Sequence, residues 1–303
     1  MHSVESPESN AGLLVRHTHS GLLHITGEER RKWFQGIVTA DVINLTHNAF
    51  WGLLLQRTGK LRGEVIGIVE DKGIWLAVLG GELSAIFKYL DSLIVMEDVT
   101  VAIDPSRSLW AIHGARDAAL AMPVQLSSAL AEGSLNWIGE SDRVYSVPDA
   151  VTADWLAALR GNGLEPSSDA TWEQYRVRAG IPKWDVDYSS QDTPHHAGLF
   201  GRAVTPNKGC YIGQEVVCKV EMLGHVSQRL TRIELDSLSG ITVGSGVQDK
   251  LTGESAGVIT SLAPTPNGQN AWAIARVKSS LIDKGGEVKV GQVQGRIVDM
   301  LIG

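Results

Sequence analysis

Residues 208–215 read KGCYIGQE, and this signature loop points to the fold more strongly than any other stretch of the chain. Gly209 and Gly213 permit a positive φ or a close backbone approach, and Gln214 and Glu215 suit the start of a helix. Cys210 precedes that start and lies two residues from Lys208, in a positive environment that favours the thiolate. It is therefore a candidate reactive thiol. The alternative is a small buried hydrophobe in a turn shaped by the glycines.

Three further segments extend the pattern along the chain: WFQGIVTADV at residues 33–42, LLQRTGKLRGE at 54–64 and RAGIPKWDVDY at 178–188. With Gly257–Ser261, the matches run from residue 13 to the C-terminus. Together with the octapeptide, these segments resemble the YgfZ branch of the T-protein (aminomethyltransferase) superfamily.

The resemblance implies an α+β fold. Its folate-binding core of mixed sheets and helices is followed by a small C-terminal antiparallel β-barrel, arranged around a central cavity for a reduced folate. Proteins of this kind bind tetrahydrofolate or a derivative and support the assembly or repair of iron–sulfur enzymes. The implied partners are thus a reduced folate and iron–sulfur client or assembly proteins.

The expected organisation has three parts: a disordered tail at residues 1–12, a core at 13–228 with a break between two subdomains near 104, and a barrel at 229–303. Short β segments separated by turn-rich pieces favour the barrel from the residues themselves. Its predicted strands are Arg229–Leu235, Ala256–Leu262, Trp272–Val277 and Val293–Leu301.

Hydrophobic periodicity predicts alternating strands and helices in the core. The first strand is expected at Gly21–Ile25, and the capping-box spacing of Thr26 and Glu29 predicts a helix that stops at Gly36. The other predicted strands are Trp51–Gln56, Val65–Glu70, Ile74–Leu79, Ser108–Ile112 and Arg143–Val147, and the other predicted helices are Glu82–Ser92, Ala115–Leu120, Ala153–Arg160 and Trp172–Arg178.

The resemblance also assigns site residues by position. Gln35 lies in the FQG segment that reaches toward the cavity, and Glu64 falls where aminomethyltransferases carry an Asp that faces the pterin. Arg229 matches an Arg that meets the carboxylates of the folate tail. Most of the nine Trp side chains are expected in the core, whereas Trp184 is the candidate stacking platform. The remaining expected folate-binding residues are His196, Lys208, Tyr211, Gln214 and Glu215.

Two positions depart from the family pattern. His196 stands where aminomethyltransferases carry a Glu that binds the aminopyrimidine edge of the pterin, and Glu64 is one methylene longer than the usual Asp. We therefore expect weaker pterin recognition at His196, because neutral imidazole offers one acceptor where a carboxylate accepts two parallel hydrogen bonds.

The leading hypothesis is a tetrahydrofolate-binding accessory protein of iron–sulfur metabolism. A folate-dependent aminomethyltransferase or methyltransferase is the alternative, and a catalytically silent scaffold is the second. The cysteine of CYIGQEV at residues 210–216 favours the accessory class, because glycine-cleavage transferases usually carry a DFIGKEAL-like segment there.

Composition excludes several other classes. The net charge is −7 and no run of Lys or Arg suggests direct nucleic-acid binding. A polar N-terminal segment and the lack of a ~20-residue apolar stretch predict no membrane span. Two cysteines in 303 residues fit a cytoplasmic, reducing location, and they are too few for an iron–sulfur cluster within one chain. No GxGxxG or Walker pattern supports a nucleotide cofactor.

A metal-site reading of His195 and His196, with Asp187, Asp192 and Cys210 nearby, is disfavoured. Adjacent His side chains on an extended loop point in opposite directions, and no CxxC or HxxxH spacing supports a closed site. The sequence therefore predicts no metal centre.

Overall fold

A computed structural model describes residues 12–114, 124–135, 137, 142–224, 226–265, 268 and 270–298. The described residues up to Ser168, together with Arg202–Gln214, form the first compact unit, and Asp169–Gly201 with the residues from Glu215 onward form the second. The expected tail, apart from Gly12, and the expected helix at residues 115–120 lie outside the described residues. The three-part division at residues 104 and 229 stays a prediction.

Nine strands belong to the first unit: β1 (Leu13–Arg16), β2 (Leu22–Thr26), β3 (Ala49–Leu55), β4 (Leu61–Val69), β5 (Ile74–Gly80), β6 (Thr100–Asp104), β7 (Arg107–His113), β8 (Ala131–Leu135) and β9 (Asp142–Pro148). They build a five-stranded sheet in the order β3-β4-β5-β2-β6 and a four-stranded sheet in the order β1-β7-β9-β8. Every strand pair in these sheets is antiparallel.

Helices cover these sheets. The helices of the first unit are α1 (Arg30–Gln35), α2 (Leu83–Asp91), α3 (Val124–Ser127) and α4 (Asp149–Gly161). Phe34 of α1 and Leu90 of α2 are fully buried in the cluster on the five-stranded sheet, and Trp155 of α4 is fully buried in the cluster beside Trp110 and Tyr145. Burying a large apolar side chain contributes ~1.5–3 kcal/mol, so these clusters account for much of the stability of the unit.

The second unit contains α5 (Asp169–Ala179), β10 (Gln228–Leu235), β11 (Gly246–Asp249), β12 (Ser255–Pro264), β13 (Ala271–Lys278), α8 (Ser279–Ile282), β14 (Glu287–Val290) and β15 (Val293–Val298). Its six strands close into a barrel in the order β10-β13-β12-β11-β14-β15, which confirms the predicted C-terminal barrel. Alternate positions of β13, from Ala271 to Val277, point into the core, as the two-residue period of a strand requires. Two short helices cross the boundaries between the units, α6 (Phe200–Ala203) and α7 (Gln214–Leu223).

The described elements correct two predictions. The strand predicted at Gly21–Ile25 is observed as β2, but it is not the first, because β1 at Leu13–Arg16 precedes it and pairs with β7. The capping box is also wrong: α1 begins after Glu29, which makes no side-chain cap, because its carboxylate accepts the backbone N–H of Asp98 at 2.9 Å. The other core predictions that fall on described residues agree with observed elements within a few residues.

Within the described part of the chain, no helix is both long enough and apolar enough to cross a membrane.

Candidate functional site

The signature loop is held by Gln35, the last residue of α1. Its amide Nε2 donates to the carbonyl oxygen of Lys208 at 2.8 Å and to the carboxylate of Asp41 at 3.2 Å. Its Oε1 accepts the backbone N–H of Val42 at 2.8 Å. Both amide hydrogens are used in these bonds, so the observed task of Gln35 is to position the loop.

Lys208 is tied to the same helix end. It is only 8% exposed, its Nζ donates to the carbonyl oxygen of Gln35, and it lies 5.3 Å from the ring centroid of Tyr211. Burial lowers the pKa of Lys208 to about 8, although the charge of Asp41 opposes this shift. This amine is therefore mostly protonated at pH 7, but it loses its proton at a lower pH than an exposed lysine does.

The rest of the loop folds tightly against the first unit. The backbone N–H of Ile212 donates to the carbonyl oxygen of Gly36 at 3.1 Å, and Gln214 Oε1 accepts the N–H of Tyr211 at 3.3 Å. Gly213 has φ 83° and lies so close to Gln56 that a β-carbon would be 2.6 Å from the Gln56 carbonyl oxygen. Only glycine fits there without strain.

The two cysteines differ in exposure. Cys210 is exposed, whereas Cys218, within α7, is half-buried, and both are free thiols. Exposure is one requirement for a reactive cysteine. The predicted helix after Cys210 is confirmed as α7, which begins at Gln214. The reactivity of Cys210 stays a prediction.

A second group of side chains in the first unit centres on Glu64. The indole Nε1–H of Trp51 in β3 donates to Glu64 Oε1 in β4 at 2.8 Å, and the two residues are 5% and 4% exposed. A buried carboxylate held by a charge-assisted hydrogen bond is fixed in direction. Sequence reasoning named Glu64 but missed its Trp partner.

Trp51 also lines an open cleft of about 360 Å³ in the first unit. Arg202 lines it too: its guanidinium carbon lies 5.1 Å from the centroid of the Trp51 ring, and its Nη2 donates to the carbonyl oxygen of Trp137 at 2.8 Å. Sequence reasoning missed Arg202, because a single Arg outside any motif carries no signal of such a contact. The polar residues of the lining are Asp41, Asn44, Thr46, His47, Ser134, Arg202 and Thr205.

The second unit carries the other expected site residues. The Trp184 ring is half-buried and packs edge-on against Tyr188, with centroids 5.5 Å apart. Glu215 is exposed and pairs with Lys219 one helical turn later at 2.7 Å, which lowers the pKa of Glu215. The contacts of Glu215 are those of a surface helical pair.

His196 lies in a series of tight turns at residues 194–199, which corrects the expectation of an extended loop. Its Nδ1 is 2.8 Å from Thr193 Oγ1, and its carbonyl oxygen accepts the backbone N–H of Leu230 at 2.9 Å. Burial lowers the pKa of His196, with a raising contribution from Asp192 and a lowering one from Arg276. The imidazole is therefore neutral at pH 7, with one nitrogen engaged by Thr193.

Arg229, at the start of β10, forms an exposed salt bridge. Its Nη2 lies 2.7 Å from the carboxylate of Asp283. A ligand carboxylate that binds Arg229 would have to compete with Asp283.

The two Asp residues that were considered as metal ligands already have protein partners. Asp187 accepts from Arg176 at 2.9 Å and from Ser261 at 2.7 Å, and Asp192 forms a two-pronged pair with Arg276 at 2.8 and 3.2 Å. The described residues contain no group of three or more His, Cys, Asp or Glu side chains that could hold a metal ion.

The structure thus brings Lys208, Cys210, Tyr211 and Gln214 together in the signature loop, which Gln35 of α1 holds, and it pairs Glu64 with Trp51 in the same unit. The second unit separately holds Trp184, His196, Glu215 and Arg229.

Curated relatives match a large part of the chain. The "tRNA-modifying protein YgfZ" of Shigella boydii serotype 4 (strain Sb227) is 31% identical over 219 residues, covering 67% of this chain and 66% of the relative. The protein of the same name from Escherichia coli (strain SE11) matches with the same identity and coverage. The chain thus spans slightly less than two thirds of these relatives' own length. No protein-family model matches the chain.

The crystal structure of glycine cleavage system aminomethyltransferase T from Bartonella henselae superimposes with a TM-score of 0.79, covering 96% of this chain and 86% of that one. The two are 19% identical, so this likeness establishes the fold alone. It confirms the predicted T-protein-like α+β fold with its C-terminal barrel.

Proposed function

The chain belongs to the YgfZ family of T-protein-like proteins, and from this premise we propose that it binds tetrahydrofolate or a derivative and supports iron–sulfur enzymes that modify tRNA. The expected cytoplasmic location is part of this proposal. The match covers 66% of the relatives, so activity and partners are proposed here rather than transferred.

The observation that carries the folate proposal is the Trp51–Glu64 pair. A carboxylate accepts hydrogen bonds from the N–H groups of a pterin, and Glu64 supplies a carboxylate at the position expected to face that ring. The cleft that Trp51 lines has a volume of about 360 Å³, within the usual range for ligand pockets, ~300–1,000 Å³. Arg202, which lies over the nearly buried Trp51 ring, contributes a cationic side chain to the wall of that cleft.

The signature loop supplies the second component. Cys210 is exposed on a loop whose backbone is held by Gln35, so the thiol is presented at a defined place. We propose that the folate and the thiol act together on a client. The chain's two cysteines cannot supply the usual four ligands of a cluster, so the cluster belongs to the client.

The printed name of the relatives refers to tRNA modification. We propose that this chain acts in the same process through a client enzyme that handles the tRNA. A net charge of −7 without a basic run does not favour direct binding of a phosphate backbone.

The accessory role is tested in cells that lack the protein, by mass spectrometry of nucleosides from total tRNA. We expect loss of nucleosides made by iron–sulfur enzymes, restored by the wild type and by Cys218→Ala but not by Cys210→Ala. Normal tRNA in the deleted strain, or full restoration by Cys210→Ala, would overturn this role.

The rival transferase class shares the fold of the Bartonella protein. Incubation with tetrahydrofolate and an aminomethyl donor distinguishes the two classes. A transferase converts many equivalents of folate per protein molecule, and it needs no client to do so. We expect no conversion, and steady turnover would move the protein to the transferase class.

A further inference from the structure

A row of hydrogen-bonded side chains in the first unit is formed by the half-buried His17 and the fully buried His113 and Asp142. The Nε2 atoms of His17 and His113 are 3.0 Å apart, and His113 Nδ1 is 3.3 Å from Asp142 Oδ1. His113 and Asp142 are 0% and 1% exposed. None of these residues belongs to the signature loop or to the Glu64 pair.

The hydrogen bonds of the row all donate in the same direction, from His17 toward Asp142. Asp142 also accepts the backbone N–H groups of Gly114 at 3.3 Å and Trp137 at 3.1 Å, so both of its oxygens act as acceptors. His113 then carries its hydrogen on Nδ1, and its Nε2 accepts from His17. Burial, and next the neighbouring His113, lower the pKa of His17 well below its usual value, so His17 is a neutral donor.

Asp142 connects this row to Trp137. Besides its N–H bond to Asp142, Trp137 packs its ring against His17 and His113, with centroids 4.8 and 5.2 Å away. Both its backbone and its ring are thus fixed by the row.

Trp137 in turn connects to the cleft. Its carbonyl oxygen accepts from Arg202, its ring lies 5.8 Å from the Trp51 ring, and Arg202 lies over Trp51. Trp51 then holds Glu64. An unbroken series of contacts therefore joins Asp142 to the carboxylate at the candidate pterin site.

We propose that His17, His113 and Asp142 are positioning residues that set Trp137, and through it fix Arg202 and Trp51 so that Glu64 keeps its direction. The ligand part of this inference rests on the proposed function. A fully buried imidazole and carboxylate, with a half-buried imidazole beside them, cost more free energy to bury than apolar side chains of the same volume, so stability alone does not account for the row.

The test compares His113→Asn with His113→Leu. Asn and Leu have nearly the same shape, and both lose the contact with His17, but only Asn keeps a donor for Asp142. If His113 only fills space, the apolar Leu should preserve the site better than Asn in this buried position. If His113 positions its neighbours through the hydrogen bond to Asp142, Asn should preserve the site better than Leu. His24→Phe is the control, because His24 stacks on Trp75 in the same unit and is outside the row.

The first readout is the indole N–H resonance of Trp51, assigned with Trp51→Phe, which needs no ligand. We expect it near the wild-type position in His113→Asn and in the control, and displaced in His113→Leu. The second is calorimetric affinity for tetrahydrofolate, which we expect to be at least about tenfold weaker in His113→Leu than in His113→Asn. Identical Trp51 resonances in the Asn and Leu variants would overturn the proposal.

If His113→Leu does not fold, Arg202→Met tests the same series at its most exposed member. It keeps the aliphatic stem and removes the bond to Trp137. We expect the Trp51 resonance to move while the bulk fold is retained, and an unmoved resonance would overturn the proposal. A wild type that binds no folate would refute the proposed function, whereas the Trp51 resonance would still decide the positioning role.

Discussion

Gly213 packs against the carbonyl oxygen of Gln56 so closely that a β-carbon would lie 2.6 Å from that oxygen. Gly209, at the other end of the signature loop, also has a positive φ, 97°, but a β-carbon placed on it would have nothing within 4 Å. Alanine substitutions at the two glycines therefore distinguish the cost of a steric clash, present only at Gly213, from the cost of a positive φ, present at both.

We expect Gly209→Ala to cost ~1–2 kcal/mol of unfolding free energy, from the left-handed backbone alone. Gly213→Ala should cost about 1–3 kcal/mol more, because a backbone oxygen cannot move aside cheaply. Urea unfolding measures both changes in unfolding free energy, provided that the m-value of each variant equals that of the wild type. Equal midpoints for the two variants would show that the loop relaxes away from Gln56.

Cys210 should react with iodoacetamide faster than Cys218, because Cys210 is exposed and Cys218 is half-buried in α7. Mass spectrometry of the native protein at neutral pH gives the two rates, and the unfolded protein, where both sites should label alike, is the control. Faster labelling of Cys218 in the native protein would remove Cys210 from its proposed role.

Arg229→Ala should weaken binding of folates with carboxylate tails more than binding of a tail-less pterin, by ~1.5–3 kcal/mol if the contact is partly desolvated. Asp283→Asn should strengthen tail binding, because it removes the carboxylate that competes for Arg229. Glu287→Gln, which breaks the similarly exposed pair with Lys250, is the matched control. Equal effects of Arg229→Ala on both ligands would make Arg229 structural.

His196→Glu should raise folate affinity about tenfold to a hundredfold, since it restores a carboxylate at the aminopyrimidine edge. Because burial lowers the pKa of His196, wild-type affinity should stay level from pH 8 to 7 and fall below pH ~6.5, as protonation removes the acceptor. The unfolded chain takes up this proton first, so the contribution of His196 to stability also declines as the pH falls below ~6.5. Unchanged affinity in the Glu variant, with no pH dependence in the wild type, would place His196 outside the site.

Local periodicity was enough to predict four of the six barrel strands and most of the core, because burial on one face repeats every two residues in a strand and every three to four residues in a helix. It missed β1 (Leu13–Arg16), which has only four residues and pairs with β7, about a hundred residues later. It also missed β6, most of whose residues are not buried, and the short strands β8, β11 and β14. Short strands repeat their pattern too few times to stand out.

In the candidate site, too, the sequence predicted individual residues but not the long-range contacts between them. The resemblance named Gln35, Glu64 and Lys208, but the bond from Gln35 to a residue 173 positions later has no local signature. Neither has the series from Asp142 through Trp137 to Arg202. Such contacts depend on which sheets the chain brings together.

The most direct test of the account is calorimetric titration of tetrahydrofolate into the wild type, Glu64→Gln and Glu70→Gln. Glu70 is the matched control, because it also accepts an indole N–H, from Trp75 at 2.9 Å, but is not an expected site residue. We expect micromolar-range binding by the wild type and by Glu70→Gln, and binding ~10- to 100-fold weaker in Glu64→Gln. No heat of binding and no thermal stabilisation of the wild type at millimolar folate would contradict the account, because a ligand of the native state must raise its stability.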